Sequence, residues 1–488
     1  MTRKPDHRLL ITFPALALLA AALIFILRPA DMTYLDLLRQ GDEHAAKSSR
    51  TAAVAVYQEA ARLRPDDPAP HLRLAQVYLD WGRTDDALTA VAQGQRLGAE
   101  EADGSATPVL SGAEGLTTSL ERLWIAVYAA RADWPAVVEH AQRLLVLAPA
   151  DRAARHVLAR AHVELQEWNA ARTEYQALLR ADPTDPVAHE RLGVLLLGDD
   201  PAAIQHLFSA RTDLADRLIA AFGEAGAVDD PAYASALLGR VLFGAQEWAL
   251  AARQFERALS YNPDYPDAHA YLGHALDHKG RPDEAWPHLQ QAATLAPNLP
   301  VAHIFLGLHH DRLGDTSAAR AEYEMAYDLD PTNPATCVEI GQTWAAEGRY
   351  VAAEIWLREG VSLQPDDPAL WRVLARFYLD HNITTEEQGI EATAEWVRLS
   401  PDDACAHDLQ GWAAFQVGDY DTAESGFLRA ISLDPALASA HYHLGRLWAA
   451  QGAHQKAREA LIRALDLDTT GELVPLIERA MEGWNNDQ

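Results

Sequence analysis

Cysteine is almost missing from this chain: 488 residues carry two, Cys337 and Cys405, and there is no CxxC pair. That excludes thioredoxin-like redox chemistry, a c-type haem attachment site and a rubredoxin-like zinc knuckle together. Basic residues are scarce as well, 41 lysines and arginines against 70 acids, for a net charge of −29. General attraction to nucleic acid or to an anionic lipid surface is disfavoured by that balance, and nucleic acid is not expected as a partner. A glycine-rich phosphate loop, a GxSxG elbow and a kinase motif set are all missing, so the usual signatures of phosphoryl and acyl transfer are not there. No cofactor is called for, and the chain is not expected to be an enzyme. Long apolar runs are missing too, with one exception at Leu9 to Leu27.

What the chain has is a period. Leu238-Gly239, Leu272-Gly273, Leu306-Gly307 and Ile340-Gly341 recur every 34 residues. Ala251, Ala285, Ala319 and Ala353 follow each glycine by twelve residues, and Pro263, Pro297, Pro331 and Pro365 come twelve further on. A fixed period of this size marks a solenoid of stacked supersecondary units. Two helices approach to about 8–10 Å only where a small residue sits at the crossing, which gives Gly273 and Ala285 their role. Leu272, Leu276, Leu289 and Leu295 share one face, and each contributes roughly 1.5–3 kcal/mol when buried. Between the helices, Lys279-Gly280-Arg281-Pro282-Asp283-Glu284 reads as a left-handed helix stop followed by a proline and acidic start. Cys337 and Cys405 fall in units separated by a whole repeat, beyond the ~7 Å Cα limit of a disulfide.

The pattern resembles the tetratricopeptide repeat, in which two antiparallel helices per 34-residue unit carry a large apolar residue and Gly at positions 7 and 8, Ala at 20 and Pro at 32. The expected fold is all-α, a right-handed α-solenoid of about twelve helical hairpins preceded by one transmembrane helix. The frame divides the chain into a basic N-terminus at 1–8, a transmembrane helix at 9–27, two units over 34–101, an inserted flexible loop at 102–117 and two units over 118–185. An irregular lengthened unit follows at 186–231, with a long second helix expected near 201–222. Regular units resume over 232–471, of which 368–403 is two residues long, and a capping helix and tail close the chain at 472–488.

The run Leu9 to Leu27 is nineteen positions, about 28 Å as a helix, enough for a hydrocarbon core. Cleavage at Ala20-Ala21-Ala22 would leave Leu23 to Leu27 at the new terminus, so an uncleaved single-pass anchor is read in preference to a signal peptide. Arg3, Lys4 and Arg8 precede the run, which places the N-terminus in the cytoplasm and the repeats on the extracytoplasmic side.

Two features look like chemistry. Six histidines, His71, His189, His269, His303, His407 and His441, recur at position 4 of their units. Successive units hold them too far apart to share a metal about 2 Å from each ligand, so packing with one satisfied nitrogen is expected. His274-Ala275-Leu276-Asp277-His278 has the outline of an inverted zinc-peptidase motif with Asp in place of Glu, but no third ligand is evident. The rival reading from another class is therefore an enzyme-associated role, a metal-dependent hydrolase at His274 and His278 or an accessory subunit of a glycosyltransferase.

The resemblance implies that positions 2, 5, 9, 12 and 13 of each first helix line a concave groove for a protein or peptide partner. Position 9 gives Arg160, Arg240, His274, Leu308, Gln342, Arg376, Trp412 and Arg446. Arg372 and Arg312 join at positions 5 and 13, making a row suited to carboxylates, unless Asp277, Asp311 and Asp380 neutralise it. Val301, Ile304, Leu308 and Val338 form an apolar stretch, and Trp412 with Phe415 an aromatic one. The family's chaperone-tail clamp, Lys and Asn at positions 5 and 9 of consecutive units, is lacking. The expected function is a membrane-tethered scaffold for assembly, secretion or envelope biogenesis.

Overall fold

Acids, asparagine and proline start the helices. The side chains of Asp185, Asp230, Asn333, Asp367 and Asp403 accept amide N–H groups two or three residues on, and proline opens four of those five helices. Each such cap is worth about 1 kcal/mol. Gly280, Gly314, Gly348 and Gly418 end first helices at φ between +71° and +83°, a region that costs a residue with a Cβ. Gln166 and Gln246 hold the same place at φ of 61° and 59°, so the flanking helices impose the turn even without glycine.

The computed structural model describes residues 30–102, 113–383 and 385–482. Among them are twenty-six α-helices, one π-helical turn and no strand. The helices pair as hairpins, such as Pro266–His278 with Pro282–Leu295 and Pro300–Arg312 with Thr316–Leu329. A Cβ on Gly273 would lie 2.6 Å from Leu289 Cγ and 3.1 Å from the Ala285 carbonyl oxygen. The in-phase alanines 251, 285, 319 and 353 are fully buried, as the crossing argument requires.

The chain forms two compact units. Among the described residues, one takes those up to Arg131 together with those from Leu461 to Glu482, and the other lies within Ala132–Ala460. The first has a core around Tyr34, Tyr57, Val91 and Trp124. The second buries a cluster running from Ala159 to Leu306, with further clusters around Leu374 and Trp396 and around Phe427 and Leu444. Burying each of these large side chains contributes about 1.5–3 kcal/mol.

Four expectations change. No helix among the described residues is long and apolar enough to cross a membrane, so the expected transmembrane helix ahead of the solenoid and the single-pass placement are not supported. The two longest helices, Thr84–Ala102 and Ala113–Ala130, carry Asp85, Asp86 and Arg96, and Glu121 and Arg122, whereas a span needs about 20 apolar residues. The 9–27 run itself lies outside the described residues. In the irregular unit the long helix near 201–222 is broken in two, Ala202–Ala210 and Asp213–Ala225, because Arg211 turns left-handed at φ 56° and Thr212 caps the second piece. The two extra residues of 368–403 are absorbed by a π-turn at Thr385–Gly389 leading into Ile390–Leu399. Helices also reach into the stretch read as a loop, to Ala102 on one side and from Ala113 on the other.

Candidate functional site

Five of the six position-4 histidines share a structural task. His189, His269, His303, His407 and His441 each place Nε2 2.9–3.1 Å from the carbonyl oxygen of the proline six residues earlier. The Trp371 indole and the Arg155 guanidinium donate to Pro365 and Pro149 in the same way. Any N–H donor at this position satisfies a proline carbonyl in the turn that follows the previous helix, which explains why the residue type varies.

Those bonds also assign protons. A carbonyl only accepts, so Nε2 carries the hydrogen and Nδ1 is free to accept when the ring is neutral. His269 Nδ1 then accepts from His288 Nδ1 at 2.9 Å, and His189 Nδ1 from His206 at 2.9 Å. His303 differs: its Nδ1 faces the Glu322 carboxylate at 2.7 Å, so both nitrogens face acceptors and the protonated ring is favoured. The Glu322 hydrogen bond accordingly raises the His303 pKa, while burial followed by the neighbouring ring lowers those of His288 and His206.

At the zinc-peptidase-like motif, His274 and His278 meet at 3.2 Å between Nε2 atoms. His274 stacks on Phe305 at 4.3 Å and His278 on Trp248 at 4.1 Å. Asp277 turns away into a buried bond with His309, and no group of three metal-capable side chains exists among the described residues. Burial, then His278 and Arg312, pushes the His274 pKa down to about 3, an environment that repels a cation. The arrangement does not fit a zinc site.

A pH dependence follows. Below about pH 6.5 an unfolded chain binds a proton at His274 that the folded chain refuses, so stability is present above that value and is lost as pH falls toward 3. Replacing His274 with Phe should flatten the fall in unfolding free energy between about pH 6.5 and pH 5 by up to roughly 1.4 kcal/mol per pH unit. His303 has the opposite sign, stabilising below its unfolded pKa and losing that contribution as pH rises through its raised one. Urea unfolding of wild type and variant across that range checks this. An unchanged slope would rule it out.

The row of arginines is placed as follows. Arg160 lies over Trp134, Arg240 over Tyr271 and Arg446 over Trp412 and Tyr442, at 5.5–5.9 Å from the ring centroids. Among the described residues these three, with Arg312 and Arg372, form no ion pair with a carboxylate, whereas Arg376 meets Asp380 at 3.7 Å. The other two acids have different partners, His309 for Asp277 and the Tyr323 hydroxyl for Asp311. Neutralisation of the row is thus confined to one exposed pair, worth under about 1 kcal/mol.

Four of the sequence-derived residues come together. Gln342, Arg372, Arg376 and Trp412 line one cavity of about 930 Å³ in the second unit, with Asp408 and His443. Its walls come from the first helices of four successive repeats, Pro334–Ala346, Pro368–Asp380, Ala404–Gln416 and Ala438–Ala450. Asp408 is buried and accepts from the Ser439 hydroxyl at 2.7 Å and from His443 Nδ1 at 2.8 Å. Trp412 stacks between His443 at 4.4 Å and Phe415 at 5.0 Å, and Arg446 donates to Tyr442 Oη. Asp403 caps its helix through the Cys405 amide. The acids of the wall are therefore engaged, and Arg372 is the charged donor left uncommitted.

Arg160, Arg240, His274, Ile304, Leu308, Arg312, Phe415 and Arg446 lie outside this cavity's lining. Ile304 and Leu308 are half-buried against the core, and His274 is buried. Asp408, Ser439 and His443 were not singled out from sequence; positions 5 and 2 of consecutive units would have indicated Asp408 and Ser439, whereas His443 is at position 6, outside the groove set.

Comparison with known proteins agrees with the repeat architecture. The tetratricopeptide repeat family matches residues 128–186, 156–217, 236–300 and 409–472, a second tetratricopeptide repeat family 312–377, and a TPR repeat family 41–82. No curated protein matches the chain. Yeast Tom70 aligns at 14% identity and a TM-score of 0.40, covering 94% of this chain and 97% of that one. MamA aligns at 21% and 0.30 over 33% and 94%. YrrB, described as a TPR protein with an unusual peptide-binding site, aligns at 19% and 0.32 over 39% and 97%. Likenesses at these scores carry no functional argument. The repeat matches together span more than half of the chain, and with the hairpins, crossing glycines and in-phase alanines they identify it as a member of the tetratricopeptide repeat family.

Proposed function

We propose that this chain is a non-catalytic scaffold that binds a protein partner, and that the cavity spanning Gln342 to His443 receives an extended acidic segment of it. The observation that carries the reading is Arg372, a guanidinium without an ion pair on the wall of a cavity whose carboxylates are all engaged. A partner carboxylate would meet Arg372 in a charge-assisted, two-pronged hydrogen bond. An apolar or aromatic side chain next to it would lie against Trp412, whose orientation is fixed by stacking on His443 and Phe415.

Fluorescent peptides pairing one or two acids with an aromatic residue, and matched peptides with the acids amidated, test this reading by titration. The acidic set should bind wild type, and Arg372→Glu should weaken it at least tenfold, since a charged hydrogen bond is worth about 1.5–3 kcal/mol. Arg398→Glu, at an exposed pair with Glu395 outside the cavity, serves as the control. Equal binding of acidic and amidated peptides, or equal loss in both variants, would sink the reading.

A further inference from the structure

The first compact unit is built from both ends of the described chain, and its seam is polar. Helix His454–Leu467 ends against the first two hairpins, where its last carbonyls have no partner within the helix. The Trp81 indole donates to the Leu465 carbonyl at 3.0 Å, and the Arg50 guanidinium donates to the Asp466 carbonyl. In return Asp466 Oδ1 accepts from the Thr51 amide at 2.8 Å and from the Thr51 hydroxyl at 2.9 Å. Thr51 is in the first turn of helix Arg50–Leu63, whose own N-cap residue, Ser49, makes no side-chain cap bond.

Each end therefore caps a helix of the other. A carboxylate sits at a helix N-terminus and a guanidinium at a helix C-terminus, both the favourable sense for the helix dipole. Asp466 and Trp81 are each only 4% exposed, so these groups have lost their water and depend on one another. Gly82 permits the approach: at φ +76°, any Cβ there would lie 2.1 Å from the Thr469 carbonyl oxygen. Beyond the seam, Asp468 accepts from the amides of Thr470, Gly471 and Leu473. That tight turn delivers helix Val474–Glu482, with Ile477 buried.

We infer that residues 461–482 are a latch, closed on the first two hairpins by reciprocal helix capping, and that those hairpins keep their stability only while it is closed. Opening leaves the Thr51 amide, the Trp81 indole and two helix carbonyls without partners at once, so the latch and the hairpins open together. The occupant is this chain's own C-terminal segment, so the contact lasts through dilution.

Hydrogen–deuterium exchange on the full chain tests the latch. Asp466→Ala should raise exchange at least tenfold at the amides of 50–80, with 300–329 in the second unit as an unchanged internal reference, and Asp466→Asn, which can still accept from Thr51, should recover most of the protection. Exchange at 50–80 equal to wild type in Asp466→Ala, or acceleration confined to 461–482, would overturn the inference. If Asp466→Ala does not fold, Trp81→Phe carries the test, because it keeps a buried ring and removes only the N–H. Roughly threefold faster exchange at 50–80 is then expected, and no change there would overturn it equally.

Discussion

Replacing Gly426 with alanine should lower the stability of the second unit by about 2–3 kcal/mol, although alanine is the better helix former by about 1 kcal/mol. The added methyl would lie 2.9 Å from Gly411 Cα, 3.0 Å from Gly411 N and 3.0 Å from the His407 carbonyl oxygen. All three are backbone atoms, which cannot rotate away, so helices Ala404–Gln416 and Tyr420–Leu433 would have to separate. Gly223 supplies the contrast. It sits inside helix Asp213–Ala225 with nothing within 4 Å of an added Cβ, and Gly223→Ala should stabilise by up to about 1 kcal/mol. Urea unfolding followed by circular dichroism, with the transition of the second unit fitted separately, measures both. Opposite signs are expected, and a Gly426→Ala protein as stable as wild type would show that the crossing has slack.

How much of this was legible in the sequence depends on how far the causes reach along the chain. The Gly273–Ala285 crossing and the proline and aspartate helix starts act within one hairpin, so period and local chemistry revealed them. Residues 201–222 were misread as one helix because hydropathy continues across a break made by one left-handed residue, Arg211. Thr212 followed by Asp213 was a usable start signal that the period argument passed over. Five of the six position-4 histidines have the satisfied nitrogen expected of packing residues. Their common acceptor, a proline carbonyl six residues back, is a matter of geometry that spacing alone does not show.

The cavity was legible in part for the same reason. Position 9 predicted Arg376 and Trp412, and position 5 predicted Arg372, because the repeat frame fixes which faces of successive first helices adjoin. It does not fix which acids are already used. Asp408 is spent on Ser439 and His443 from the next repeat, a pairing set by how the helices pack and not by the repeat frame, and Arg372 is thereby left over. The seam between Thr51 and Asp466 joins residues 415 positions apart, a relation that no periodicity encodes. The membrane helix was read from hydropathy alone, and the described residues contain no helix that fits a bilayer.

The second large effect is expected at Asp277. Its carboxylate is 1% exposed and lies 2.9 and 3.0 Å, through its two oxygens, from Nδ1 of His309, itself 2% exposed. The two residues come from the first helices of adjacent repeats, Pro266–His278 and Pro300–Arg312, and Trp286 stacks on the imidazole at 5.3 Å. Asp277→Ala leaves the His309 N–H buried with no acceptor and opens a small void, which should cost about 3 kcal/mol. Asp277→Leu paired with His309→Leu removes both polar groups and fills the space, so the double variant should recover to within about 1 kcal/mol of wild type. The pair would then act less as a source of stability than as a register pin, penalising any stacking of the two repeats that does not join these residues. Urea unfolding of the two singles and the double closes the cycle. A loss below about 1 kcal/mol in Asp277→Ala, or additive losses in the double variant, would mean that the two repeats are held by their apolar contacts alone.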